Sequence, residues 1–87
     1  MPRFNRLVAR LLSGSADRSI RFTDLCRLLQ AFGFEERIRG DHHIYTRTDI
    51  SEIINLQPGQ EGLAKPYQVR QVRNLILKNK LVTEGEA

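Results

Sequence analysis

Phe4, Leu7, Val8 and Leu11 recur at i, i+3, i+4 and i+7, the spacing that lays apolar side chains along one stripe of a helix. The pattern predicts a first helix over residues 3–12, with Arg3, Arg6 and Arg10 mainly off the stripe and Ser13-Gly14-Ser15 stopping it. The same spacing returns in Leu25, Leu28, Leu29 and Phe32. Here Thr23 suits the cap, Asp24 suits the positive end of the helix, and Gly33 closes it. The period then changes. Phe34–Arg39 and His42–Arg47 read as extended segments joined by Gly40-Asp41, a two-residue turn of the kind that makes a tight hairpin. After the polar turn Arg47-Thr48-Asp49, Ser51–Leu56 reads as a third strand returning beside the second. Pro58, Gly59 and Gly62 make residues 57–65 a loop. Pro66 then suits the first turn of a last helix, whose buried stripe is Val69, Val72 and Ile76. Arg70 and Arg73 fall on another face of it, which the pattern leaves free to meet a polyanion.

The expected fold class is therefore α+β: an α-β-β-β-α unit with a three-stranded antiparallel sheet, preceded by an extra N-terminal helix. Two helices on one face of a small sheet close such a core economically. The same order occurs in double-stranded-RNA-binding domains, an analogy of fold that does not by itself carry function. The chain divides into an N-terminal helix and linker (1–20), the main unit (21–81) and a polar tail (82–87). For the first helix two roles are open, packing on the sheet or joining two copies in a homodimer, since a small domain gains core by association.

Composition narrows this picture. A chain of 87 residues with 40% apolar content carries one small core, burying roughly 60% of its unfolded surface. It contains no apolar run of about 18 residues that could span a bilayer and no N-terminal secretory pattern, so no membrane role and a cytoplasmic location are expected. The single cysteine, Cys26, fits a reducing compartment and reads as a packing residue. The net charge of +4 is unevenly spread. Arg3, Arg6, Arg10, Arg18 and Arg21 face only Asp17 up to residue 22, and Lys65, Arg70, Arg73, Lys78 and Lys80 have no acid between residues 62 and 83. Residues 23–61 hold four basic against seven acidic side chains. Two basic ends flank an acidic middle, a distribution that attracts nucleic acid as well as describing solvated helix faces.

The chemistry concentrates in His42 and His43, adjacent at the start of a strand. A histidine titrates near pH ~6.5 and so both takes and returns a proton at cellular pH. RNA cleavage by the neighbouring 2′-hydroxyl needs that ability, and basic side chains would stabilise the charge developing on phosphate. Other readings stay open. Adjacent strand residues point to opposite faces, so the two rings do not readily chelate one ion, and no metal or other cofactor is expected. The histidines could be ordinary polar residues beside a turn, or His43 or Tyr45 could stack on a base without cleavage. Alternation groups His42 with Ile44 and Thr46, and His43 with Tyr45 and Arg47. Burying Ile44 would draw His42 inward, and the pattern alone does not choose the exposed ring.

Gly33-Phe34 at a helix end, then Gly40-Asp41-His42-His43-Ile44-Tyr45, a third strand and a proline-led basic helix together resemble the HicA family of toxins over residues 21–81. That family shows glycine, a small residue and histidine, often followed by a second histidine and an aromatic, a pattern that falls here on Gly40, His42, His43 and Tyr45. The resemblance implies a fold like the double-stranded-RNA-binding domain, cleavage of mRNA, and inhibition by a HicB antitoxin that covers the catalytic histidine. It places that role on His42, with His43 as the fallback. The residues themselves suggest that Tyr45 packs or stacks and that Lys65, Arg70 and Arg73 position the RNA backbone, with Gly40 beside them in the RNA-binding set. Two positions depart from the pattern. Asp41 stands where serine is usual, adding a negative charge beside the histidine. Asn55-Leu56-Gln57-Pro58 stands where many members carry proline and histidine, so Gln57 offers no second proton carrier.

Overall fold

The computed structural model of the chain describes residues 4–82. Its elements run α1 (Asn5–Ser13), α2 (Phe22–Ala31), β1 (Glu35–Arg39), β2 (His42–Arg47), β3 (Ile50–Leu56), a short 3-10 turn (Gln60–Gly62) and α3 (Pro66–Asn79). The strands form one antiparallel sheet in the order β1-β2-β3. This is the expected α+β arrangement, with α1 added in front of α-β-β-β-α. Residue 3, the expected start of the first helix, and residues 83–87 of the tail lie outside the described residues.

Each boundary has a local cause. Helix α2 begins two residues earlier than a cap at Thr23 would place it. Arg21 is its extended N-cap, with no side-chain cap, and its carbonyl accepts from Leu25 N–H at 3.1 Å. The gain is burial: starting there turns Phe22 into the core, where it is 7% exposed, whereas Thr23 stays exposed. Gly33 closes the helix at φ +89°, a left-handed conformation that glycine adopts without strain, and Phe34 N–H reaches back to Leu29 O at 3.1 Å. Phe34 is consequently a core residue ahead of β1 rather than its first member. Gly40-Asp41 forms the hairpin turn, with Arg39 and His42 as the pair that closes it. A register irregularity between Tyr45 and Arg47 starts β3 at Ile50, one residue before Ser51.

Both helices α2 and α3 contribute wholly buried side chains, among them Leu25, Leu28, Leu29, Val69 and Val72, and α3 packs across β3. From the sheet they meet Tyr45, Ile54 and Leu56, which are 0, 1 and 0% exposed. The covered face of β2 is thus the Tyr45 face, and Ile44 is only half-buried. An aromatic ring with a polar tip displaces the aliphatic residue from the core, because Tyr45 finds a partner for its hydroxyl inside. Alternation then turns His42 outward, opposite to what burial of Ile44 would have done.

The first helix is part of this core. Leu11 is 0% exposed and belongs to the main cluster, with Phe4, Leu7 and Val8 packed against it. The apolar stripe therefore lies on the chain's own α3 side rather than standing open for a second copy. Arg73 fixes the arrangement: its guanidinium pairs with Asp17 at 2.8 Å and donates to Leu11 O at 3.2 Å, joining α3 to the segment after α1. Both side chains are mostly withdrawn from water, at 17 and 15% exposure. The expectation that Arg73 lies free for RNA is thereby corrected, since its partner stands 56 residues away in sequence. Arg73→Ala is expected to cost about 1–3 kcal/mol, between an exposed pair and a fully buried one. Urea denaturation checks this, and an unchanged midpoint would contradict it.

The 57–65 connection is ordered rather than free. Ala64 N–H donates to Ile20 O at 2.8 Å and Gly59 N–H to Leu63 O at 2.8 Å, while isolated bridges pair Arg21 with Leu63 and Pro58 with Ala64. Glycine is required at position 59 by close approach, because an added Cβ would sit 2.7 Å from Leu63 O. Among the described residues no helix is long and apolar enough to cross a membrane.

Candidate active site on the open face of the sheet

The hairpin turn delivers His42 and His43 to opposite sides of the sheet. His42 is on the open face, its side chain 45% exposed. Its Nδ1 lies 3.1 Å from Asn55 Oδ1 and its Nε2 lies 3.2 Å from Gln57 Nε2. An amide nitrogen only donates, so Gln57 makes Nε2 the acceptor, and the proton on Nδ1 goes to the Asn55 oxygen. The two contacts fit the tautomer that carries its proton on Nδ1. The same Gln57 nitrogen sits 3.4 Å from each Asp41 oxygen, which holds its amide in that orientation. Position 57, where the family pattern often has a second histidine, thus touches His42 directly.

Two arginines that sequence reasoning missed share this face. Arg39 is the cross-strand partner of His42, and Arg37 is that of Ile44, so alternation sets both on the His42 side. Both are exposed, and neither has an ion-pair partner among the described residues. The signal was available in the alternation Glu36-Arg37-Ile38-Arg39, which separates the arginines from Glu36.

His43 occupies the covered side. Its side chain is 22% exposed, its ring meets Phe22 edge-on at 5.0 Å between centroids, and its Nδ1 is 3.4 Å from Glu36 Oε2. The Tyr45 hydroxyl donates to the same Glu36 oxygen and neighbours the Cys26 thiol. Burial, followed by the Cys26 and Glu36 contacts, pushes the Tyr45 phenol well above its ordinary range and keeps it neutral. Burial also pushes the Cys26 thiol up. The opposed placement agrees with the sequence argument that the two histidines do not share an ion. It also puts Cys26, Glu36 and His43 together, a group that lies far apart in the chain.

The remaining predicted positions separate. Gly40 is exposed in the turn at φ +59°, where a side chain would meet no neighbour but would be strained. Tyr45, wholly buried, offers no ring face to a base, which corrects its expected stacking role. Lys65 lines a half-open cavity of about 600 Å³ with Arg18, Pro58, Leu63, Ala64 and Pro66. Arg70 is exposed on α3 and lines a shallow depression with Gly14, Asp17 and Arg18. No hydrogen bond joins Lys65, Arg70 or Arg73 to the His42 cluster among the described residues.

A family model described as the HicA toxin of bacterial toxin-antitoxin matches residues 22–79, from the first residue of α2 to the last of α3. No curated protein and no solved structure matches the chain.

Proposed function

The chain belongs to the HicA family of bacterial toxin-antitoxin toxins, and from that premise we propose that it is a metal-independent endoribonuclease that cleaves mRNA with His42 as the proton-transferring group. The supporting observation is the placement of the His42 ring on an open face, with Nδ1 held by Asn55 and Nε2 toward the Gln57 amide, an arrangement in which Nε2 offers a lone pair. That lone pair is what a general base requires. An incoming ribose 2′-hydroxyl takes the place of the Gln57 amide and gives its proton to Nε2. Its oxygen then attacks the adjacent phosphorus, the bond to the 5′-oxygen breaks, and that oxygen is protonated as it leaves. The products are a 2′,3′-cyclic phosphate and a 5′-hydroxyl. Gln57 carries no ionisable proton, so the return step falls to His42 or to water.

Arg37 and Arg39 are placed to meet the phosphate, where a fixed positive charge stabilises the negative charge that grows on the oxygens. Replacing both with alanine is expected to weaken RNA binding and to reduce the slope of log affinity against log salt by about 1.4, at ~0.7 per phosphate contact on a single strand. A salt titration by fluorescence anisotropy measures this. An unaltered slope would move the RNA to Arg18, Lys65 and Arg70 instead.

A toxin of this class has an antitoxin partner. In this reading the partner is a HicB-type protein that covers the His42 face, where the unpaired Arg37 and Arg39 favour an acidic surface. His43 supports a second assignment, because Glu36 beside Nδ1 resembles the carboxylate that orients a catalytic imidazole. Exposure favours His42, at 45% against 22%. Cleavage by separate His42→Ala and His43→Ala variants distinguishes the two. Salt-sensitive RNA binding without cleavage by the wild type would leave a non-catalytic binding module.

A further inference from the structure

The geometry points to a zinc-type divalent cation site formed by Cys26 of α2, Glu36 of β1 and His43 of β2, on the covered side of the sheet and separate from His42. The inference does not rest on the ribonuclease reading. One ligand atom from each residue, a sulfur, a carboxylate oxygen and an imidazole nitrogen, lies within 4.8 Å of the other two. This mixed set suits a borderline ion such as Zn²⁺ better than a hard ion that prefers oxygen alone. The separation of His43 from Glu36 is also of the right size. His43 Nδ1 and Glu36 Oε2 are 3.4 Å apart, and tetrahedral bonds of about 2.0 Å to nitrogen and oxygen put such atoms roughly 3.3 Å apart.

The second observation is the carboxylate itself. Glu36 is only 22% exposed, and its contacts are the Tyr45 hydroxyl and the His43 ring, with no lysine or arginine pairing with it among the described residues. An ionised carboxylate withdrawn from water is costly unless positive charge compensates it, and a dication bound between Glu36, Cys26 and His43 supplies that charge. Three protein ligands leave a fourth position for water. Tyr45, kept neutral and donating to Glu36, orients the carboxylate as hydrogen-bonded neighbours of metal ligands commonly do. Because the ion needs the Cys26 thiolate, its binding releases the thiol proton to solvent. The site ties α2 to the hairpin, so its expected role is to stabilise the fold.

Cobalt titration of the full chain tests this, since Cys26 is the single cysteine and any thiolate-to-cobalt band must come from it. Protein stripped with chelator and confirmed folded by circular dichroism is expected to take one equivalent of Co²⁺. It should develop a near-ultraviolet thiolate charge-transfer band with tetrahedral visible bands, and lose both on adding Zn²⁺. Cys26→Ser, also confirmed folded, is expected to lose the near-ultraviolet band, and zinc is expected to raise the melting temperature of the wild type but not of this variant. Absence of the band in folded wild type would overturn the proposal and leave a hydrogen-bonded cluster of Glu36, His43 and Tyr45 beside Cys26. Visible bands that persist unchanged in Cys26→Ser would also overturn it, by placing the ion at exposed groups such as Asp41 and His42.

Discussion

His42→Ala is expected to lower the rate of mRNA cleavage roughly 10²- to 10⁴-fold, the usual contribution of a positioned general acid or base. The variant should keep its melting temperature and its RNA affinity. His42 is 45% exposed and its partners Asn55 and Gln57 are polar side chains on the open face, so truncation leaves no cavity and orphans no buried group. The rate loss would therefore report chemistry rather than folding. A single-turnover assay at saturating protein measures it. A loss below about tenfold would remove His42 from the reaction, because effects of that size arise from small changes in positioning.

The second large effect is on stability and concerns the helix outside the family match. Leu11→Ala is expected to cost roughly 2–5 kcal/mol, as removal of a wholly buried leucine does when the site collapses only in part. A domain of this kind has about 5–15 kcal/mol in total, so the variant should melt many degrees lower. The match begins at Phe22, yet Leu11 belongs to the same core as Leu25 and Val72. Thermal denaturation of the full chain decides the matter. An unchanged melting temperature would make α1 an appendage to a unit that folds without it.

Much of the fold was legible because local signals agreed with the tertiary arrangement. Gly33, the Gly40-Asp41 turn and Pro66 each sit where their backbone preferences are used, and the apolar spacing of α2 and α3 matches the residues they bury. What was not legible depended on contacts distant in sequence. Tyr45 and Ile44 are both apolar enough for a core, and only the packing of α2 and α3 selects the tyrosine face. That choice sets His42 outward. Arg73 looked like a free charge because Asp17 is remote in the chain.

Arg37 and Arg39 were lost by summing charge along a segment. Residues 23–61 are acidic on balance, but a strand sorts its charges by parity, so Glu36 goes to the covered side while its basic neighbours face solvent. The cluster of Cys26, Glu36 and His43 was hidden for a related reason. Its members lie on three elements and carry no motif spacing, and only the register that sets Glu36 opposite Tyr45 brings them beneath α2.

In the proposed reaction the open sheet face cuts RNA by way of the 2′-hydroxyl, with His42 moving the proton and no metal in the step. Its most direct test is to incubate the wild type, confirmed folded in EDTA, with a mixed mRNA and with a DNA copy of the same sequence, and to identify the ends produced. RNA fragments ending in 2′,3′-cyclic phosphate and an intact DNA copy are expected. Cleavage of both strands alike, or binding of RNA with no cleavage by folded protein, would contradict it.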